Sequence, residues 1–383
     1  MKKEELDAIL TAMITCGERV SDLVFVVGKP PQVEQHGKLV ALQMEGPDPI
    51  LQSSHVEQMK DVLLGTNERL LSDLENAGSC DASYALGDLA RFRVNIYRQN
   101  GRSAIVMRKL ESQIPKLDEL GLPPIFKEMI EEKTGIILLT GGTGTGKTTT
   151  LAAMLNELNQ TREIHIVTLE DPIEFLHTHS KATFSQREMG KDFPNFATGL
   201  RAALRQAPKV ILVGEIRDRD TMEVALTASE TGHLVFSTLH TINAGQTISR
   251  ILGLFTQEEE KLVRQRLAET LRYVVSQRLV GHIDGGRLLV TEIMGSSLRT
   301  RESIIYGEGE NRTFQEIIEV GGTNGWHSFD QSLLKAFEAD LIVEETAINF
   351  ATHKTKMRRD LEMLRKLRFD YTDDASGLEM AIR

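Results

Sequence analysis

The sequence predicts an α/β protein in two parts: an N-terminal α+β module, and a larger unit on a parallel sheet that ends in helices. Three observations predict this. The stretch Gly141-Gly142-Thr143-Gly144-Thr145-Gly146-Lys147-Thr148 is a complete glycine-rich phosphate loop. It stands between the apolar run 135–140 and a helical pattern that continues to residue 158, the strand–loop–helix context the motif requires. From Gly135 onward strand-like and helix-like segments alternate, as in a parallel sheet carrying helices on both faces. Finally, the polar stretch 111–121, with Pro115 and Gly121, separates this rhythm from a differently patterned region of about 110 residues.

The 383 residues leave room for two or three domains, each with its own core. A net charge of −10 argues against general nucleic-acid binding, and no nucleic-acid partner is expected. Cys16 and Cys80 support neither a disulfide framework nor a Cys-x-x-Cys metal site, so a reducing, cytoplasmic setting is expected. The first residues carry Glu4 and Glu5 and lack the apolar core of a signal peptide. No run approaches the ~20 apolar residues of a membrane-spanning helix. Membrane association is therefore expected only through the surface or a partner, without direct insertion.

In chain order, Leu6, Ile9, Leu10, Met13 and Ile14 recur at helical spacing over 3–16, and Gly17 stops the helix. A strand over 21–28 is broken by Pro30-Pro31, and 33–42 reads as a hairpin turning at His36-Gly37-Lys38. No second metal ligand stands near His36, which reads as a turn residue. Two short helices follow over 53–77. Strands over 80–86, 90–97 and 103–110, turning at Gly87-Asp88 and Asn100-Gly101, complete a meander sheet and a domain over 1–110. Its far end is rich in arginine: Arg91, Arg93, Arg98, Arg102 and Arg108. A strand places Arg91 and Arg93 on one face. A solvated strand edge and an arginine set offered to a neighbouring subunit's nucleotide fit this pattern equally.

The linker at 111–121 leads to Pro123-Pro124, which open a helix running through residue 132. The core over 122–295 holds strands at 135–140, 163–169, 210–214, 234–239 and 287–293. Residues 258–280 read as one long amphipathic helix with Leu262, Leu267, Leu271, Val274 and Val275 on its apolar face. A helical region over 296–369 and a polar tail over 370–383 finish the chain.

The phosphate loop dictates its own chemistry. Glycines let successive backbone N–H groups converge on phosphate oxygens, and the following helix N-terminus adds positive potential. Gly142, Thr143, Gly144, Thr145, Gly146, Lys147, Thr148 and Thr149 are the predicted nucleotide contacts. Lys147 can reach the β- and γ-phosphates, and the Thr148 hydroxyl can ligate Mg²⁺. Two acidic segments, 166–175 and 210–218, end strands at the edge where open α/β sheets bind ligands. The second, an apolar strand ending in Gly214-Glu215, fits a carboxylate that holds the Mg²⁺ shell through water. In the segment 232–240 one histidine precedes a strand and one ends it. A neutral imidazole can donate to a γ-phosphate or report its presence. The strand-end His240 is the stronger candidate, and His233 is left open between function and structure.

Four ordered motifs now carry a resemblance: 141–150 with Gly-Lys-Thr-Thr-Thr, Leu169-Glu170-Asp171-Pro172-Ile173-Glu174-Phe175, the segment 204–218, and Thr231-Gly232-His233 with Thr238-Leu239-His240. Together they resemble the Walker A, Asp box, Walker B and His box of the secretion ATPase superfamily. Within it the chain is most similar to the type IV pilus retraction ATPases, the twitching-motility PilT/PilU group. The likeness extends to Val20-Ser21-Asp22-Leu23, to Arg91-Phe92-Arg93-Val94-Asn95 and to 328–333.

The resemblance implies a PAS-like N-terminal domain joined to a RecA-like ATPase domain, assembled as a homo-hexamer with ATP between the two domains. It implies ATP and Mg²⁺ as cofactors, Glu174 as the water-activating carboxylate, Glu215 as the Walker B acid, Lys147 and His240 as catalytic groups, and His233 and His240 as the His box. Arg93 and Arg108 become the nucleotide-contacting arginines. Expected partners are an inner-membrane pilus platform protein and a second retraction ATPase. Two departures stand out: Pro208-Lys209 before the Walker B strand, and 297–305 in place of the group's usual C-terminal helix. The second leaves open an accessory nucleotide-binding adaptor or a motor of a related secretion system. Two cysteines cannot form the four-cysteine zinc site of extension and type II secretion ATPases.

Overall fold

The computed structural model describes residues 1–17, 20–42, 50–111, 113–310 and 312–366. The chain divides into two compact units. Unit one comprises Met1–Ile114 together with two later segments, Glu170–His177 and Glu188–Asp192. Unit two comprises Pro115–Leu169, Thr178–Arg187 and the remainder from Phe193. Two stretches of the expected 122–295 core thus pack with the N-terminal unit. The polar tail expected over 370–383 lies outside the described residues.

Unit one contains helices α1 (Lys3–Thr15), α2 (Ser53–Leu64) and α3 (Glu68–Asn76). Its strands are β1 (Val20–Phe25), β2 (Gln32–Gln35), β3 (Lys38–Ala41), β4 (Ser79–Leu86), β5 (Ala90–Gln99) and β6 (Arg102–Leu110). Among the described residues they form one antiparallel sheet in the order β3-β2-β1-β6-β5-β4. The sheet is not the simple meander that the three later strands suggest. Two hairpin-linked triplets are joined where β1 pairs with β6, which sets Asp22 opposite Arg108. In β5 the period of two is plain: Phe92, Val94 and Ile96 are fully buried, leaving Arg91 and Arg93 to the other face. The buried side packs on Leu6, Leu10 and Met13 of α1 and Val56 and Met59 of α2. His36 and Gly37 have φ of 50° and 77°, the backbone of a two-residue hairpin turn.

Unit two contains strands β7 (Gly135–Thr140), β8 (His165–Glu170), β9 (Thr183–Glu188), β10 (Val210–Val213), β11 (Leu234–Leu239), β12 (Leu271–Gly281) and β13 (Arg287–Gly295). Among the described residues their order is β13-β12-β7-β11-β10-β8-β9. β12, β7, β11, β10 and β8 pair in parallel, and β13 runs antiparallel to β12. Every residue of β7, β10 and β11 is buried, and apart from Thr140, Ser237 and Thr238 they read as near-continuous apolar runs. Its helices include α4 (Ile125–Met129), α5 (Lys147–Thr161), α6 (Phe196–Ala203), α7 (Arg219–Glu230), α8 (Ala244–Leu252) and α9 (Gln257–Thr270), followed by α10 (Leu298–Tyr306), α11 (Phe314–Val320), α12 (Phe329–Glu338) and α13 (Glu344–Phe350), with further helix over 354–366.

Three sequence expectations are corrected in unit two. The helix expected over 258–280 stops at Thr270, and β12 begins at once with Leu271. Tyr273, Val274, Val275 and Val280 suit a strand, and pairing with both β7 and β13 overrides the helical spacing. Of the residues expected on the helix's apolar face, Leu267 is buried, but Leu262 is 60% exposed and Val263 is buried instead. Strand β9 was not foreseen, because only Phe184 and Glu188 of its six residues are buried and it carries no apolar run. The helix after Pro123-Pro124 spans only Ile125–Met129. Among the described residues no helix is long and apolar enough to cross a membrane.

Candidate active site

The phosphate loop leaves the C-terminal edge of β7 and turns directly into α5. Gly141 has φ of 143°, and a Cβ there would lie 2.6 Å from the Gln277 carbonyl oxygen and 2.7 Å from Thr145 Oγ1. Gly144 and Gly146 also have positive φ, at 77° and 88°. Only glycine adopts this path without strain. Gly146 caps α5 without any side-chain bond, and the N-terminus of this 15-residue helix turns its positive potential toward the loop. Thr145 Oγ1 donates to the Gly142 carbonyl at 2.9 Å and fixes the loop's crown. Lys147 is buried, and its Nζ donates to the carbonyl oxygens of Gly141 (2.9 Å) and Gly142 (2.8 Å). Gly142, Thr143, Gly144 and Thr148 are exposed, and Thr149 is half-buried. Behind them Gln277 Nε2 donates to the buried Thr150 hydroxyl at 2.9 Å, tying α5 to β12.

The parallel register brings further groups to the same edge. Thr140 stands opposite Leu239, and Val213 stands opposite Ser237, so the ends of β7, β11 and β10 lie in line. Glu215 follows β10 and His240 follows β11; His240 Nε2 lies 3.6 Å from Glu215 Oε2. Arg217 Nε lies 2.6 Å from the same carboxylate oxygen. Thr238 pins the backbone on both sides of Glu215. Its hydroxyl donates to the Gly214 carbonyl at 2.8 Å, and its carbonyl accepts the Ile216 N–H at 3.2 Å. Asp218 plays a separate, structural part, capping α7 by accepting the Thr221 N–H at 2.8 Å. The loop leaving His240 is held by Asn243, which caps α8, and by Glu292, which accepts the Ala244 N–H at 2.9 Å. Burial pushes the Glu292 carboxyl above the usual carboxylate range.

His233 is not brought to this edge. It precedes Leu234, whose register partner is Gly135, the end of β7 away from the phosphate loop. Six residues of strand separate the two ends, roughly 20 Å. Its Nδ1 lies 2.9 Å from the Ala228 carbonyl oxygen, a bond local to the end of α7. Within one chain, then, the histidine pair is split, and only His240 stands at the nucleotide edge.

The remaining candidates belong to unit one. Arg93 and Arg108 are register partners on β5 and β6. Each faces a carboxylate of its own sheet: Arg108 Nε lies 2.8 Å from Asp22 Oδ1, and Arg93 Nε lies 4.0 Å from Asp81 Oδ1. Both stay largely open, with side chains 48% (Arg93) and 70% (Arg108) exposed. Glu174 is half-buried within the segment Glu170–His177. The residue before it is gripped from two sides. Arg91 Nη1 donates to the Ile173 carbonyl at 2.8 Å, and the Ile173 N–H donates to Glu188 Oε2 at 3.3 Å. Sequence reasoning missed Thr238, Arg217, Ser83, Glu188 and Lys191, and assigned Arg91 no partner. These side chains act through contacts 80 to more than 100 residues apart in the case of unit one, where no short-range pattern can mark them.

With this geometry in place, similarity to known proteins decides the family. The profile of the type II/IV secretion system protein family matches residues 82–315, more than half the chain and every candidate residue above. The chain belongs to this family. It is 40% identical to the type IV pilus retraction ATPase PilT of Pseudomonas aeruginosa, over 85% of this chain and 93% of that protein. It is 34% identical to the type IV pilus ATPase PilU of the same organism, over 92% of this chain and 90% of PilU. A crystal structure of the pilus retraction motor PilT with bound ADP superposes with a TM-score of 0.81 at 37% identity, covering 92% of this chain and 99% of that one. This chain and that motor thus share the mixed α/β architecture as well as the sequence.

Proposed function

We propose that this chain is an ATP-hydrolysing motor of type IV pilus retraction, the engine of pilin disassembly and twitching motility. It is a P-loop ATPase whose residues 1–110 form a PAS-like domain and 122–295 a RecA-like core, followed by helices over 296–369. It works as a homo-hexamer at the cytoplasmic face of the inner membrane, held there by a pilus platform protein. Motion about 111–121 transmits the work of hydrolysis. The observation that supports this reading best is the meeting of Glu215 and His240, 3.6 Å apart, on the sheet edge from which the phosphate loop departs.

The chemistry follows from the residues. The α5 N-terminus and Lys147 bind the phosphates, whose oxygens replace the Gly141 and Gly142 carbonyls as acceptors for Nζ. The Thr148 hydroxyl and the Glu215 carboxylate offer hard oxygen donors, one direct and one through water, which suits Mg²⁺. When bound, Mg²⁺ neutralises charge on the β- and γ-phosphates. Glu174 accepts a proton from the attacking water; attack on the γ-phosphorus breaks its bond to the bridging oxygen and releases ADP and phosphate. His240 donates to a γ-phosphate oxygen and passes its presence to Glu215. Arg93 and Arg108, in this chain or a neighbouring one, meet negative charge that develops on the transferring group.

Steady-state turnover of the purified protein tests this. The parent should hydrolyse ATP, and Glu174→Ala should abolish turnover while nucleotide binding persists. Turnover at the parent rate in Lys147→Ala would refute the site. A parent with no activity above background would replace the motor with a nucleotide-binding adaptor carried by a second retraction ATPase.

A further inference from the structure

The Glu188 carboxylate is 6% exposed and sits at the centre of four contacts. At Oε1 it accepts the Ser83 hydroxyl at 2.6 Å and lies 2.7 Å from Lys191 Nζ. At Oε2 it accepts the Ile173 N–H at 3.3 Å and lies 3.5 Å from Arg91 Nη2. Arg91 spans the group: Nη2 faces Glu188 while Nη1 donates to the Ile173 carbonyl. All five residues belong to unit one. The two peptide groups flanking Ile173 are therefore held by the two members of one ion pair. One of these peptides, the one Arg91 grips, contributes the backbone nitrogen of Glu174.

We propose that Arg91 and Glu188 are positioning residues for Glu174: they clamp the peptides around Ile173 and thereby fix the direction in which the next carboxylate points. This deepens the proposed function and rests on Glu174 being the water-activating group. Proton transfer from an attacking water requires a heavy-atom separation near 3 Å, and a displacement of about 1 Å costs on the order of 10²-fold in rate. A guanidinium holds two coplanar donors at a fixed spacing, one for the carbonyl and one for the carboxylate; the three donors of an ammonium radiate from a single nitrogen and do not keep that spacing. The phosphate-loop contacts are made by other residues, so nucleotide binding does not depend on the clamp.

The test compares kcat and KM for ATP of the full chain in the parent and in a Glu174→Gln background. Arg91→Ala should lower kcat tenfold or more with KM within about threefold. It should lower the residual rate of Glu174→Gln by less than twofold, and Arg91→Lys should recover only part of the loss. An Arg91→Ala kcat within twofold of the parent, an equal loss in both backgrounds, or a KM rise that accounts for the loss in kcat/KM would each overturn the clamp. If Glu174→Gln alone keeps parent kcat, the assignment of Glu174 fails and the clamp fails with it. Should Arg91→Ala not fold, Glu188→Gln decides: a kcat at least threefold below the parent supports the proposal, and a parent-like kcat removes it.

Discussion

Replacing Gly141 with alanine probes the tightest point of the phosphate loop. At φ of 143° a residue with a side chain is strained by about 1–3 kcal/mol. The added methyl also meets two atoms, the Gln277 carbonyl oxygen at 2.6 Å and Thr145 Oγ1 at 2.7 Å. Thr145 can rotate away, but the Gln277 carbonyl belongs to β12, which is paired on both sides by β7 and β13. Overpacking of this kind costs a further ~1–3 kcal/mol. Gly144→Ala is the control: its φ is 77°, and no atom lies within 4 Å of the added carbon, so only backbone strain of about 1 kcal/mol applies. For a unit of this size each kcal/mol moves the melting temperature by roughly 2–4 °C. Gly141→Ala should thus melt on the order of 10 °C below the parent, and Gly144→Ala only about 2–4 °C below. Differential scanning calorimetry reads both shifts directly. Equal melting temperatures for the two variants would refute the steric explanation, because both the larger backbone strain and the close contacts fall at position 141.

Two further outcomes are expected. Thr238→Val keeps the side-chain shape but removes the hydroxyl bond to Gly214, so stability should fall by about 1 kcal/mol; ATP turnover should fall more than nucleotide affinity, because Glu215 loses one of its two backbone anchors, and an affinity loss matching the turnover loss would contradict this. The second outcome concerns pH. Burial favours the neutral Glu188 carboxyl, but Lys191, Ser83 and the Ile173 N–H outweigh it and hold the group below the usual carboxylate range. A depressed folded pKa adds stability above the unfolded value, about 4.3, that is lost as pH falls through the folded one. The stability gap between the parent and Glu188→Gln, measured by urea unfolding, should be present at pH 7 and shrink below about pH 4; a gap unchanged at low pH would show that Glu188 does not act through its charge.

Much of the nucleotide edge was legible because its chemistry is local. A glycine loop, its lysine and its threonine occupy consecutive positions, and strand-end acids follow short apolar runs. The central strands β7, β10 and β11 were equally plain, since burial on both faces leaves them apolar except for Thr140, Ser237 and Thr238 near their ends. Strand β12 was missed because Leu267, Leu271, Val274 and Val275 fit a helical spacing as well as a strand, and only pairing with β7 and β13 decides between them. Strand β9 was missed because its polar sequence carries no burial signal. His233, left open in the sequence because it precedes the strand that His240 ends, is set by the register at the opposite end of that fully buried strand. Sequence reasoning could see the Arg91 and Glu174 motifs separately, but not that Arg91 holds the peptide leading into Glu174, since 82 positions part Arg91 from Ile173.

Above all, ATP turnover by this chain should withdraw pili. The most direct measurement follows fluorescently labelled pili on living cells whose chromosomal copy is deleted and replaced by the parent or by Lys147→Ala. Deleted cells should still extend pili and no longer retract them, the parent should restore retraction, and Lys147→Ala should not. Retraction at the normal rate and frequency in the deletion strain or with Lys147→Ala would contradict a motor role for this chain.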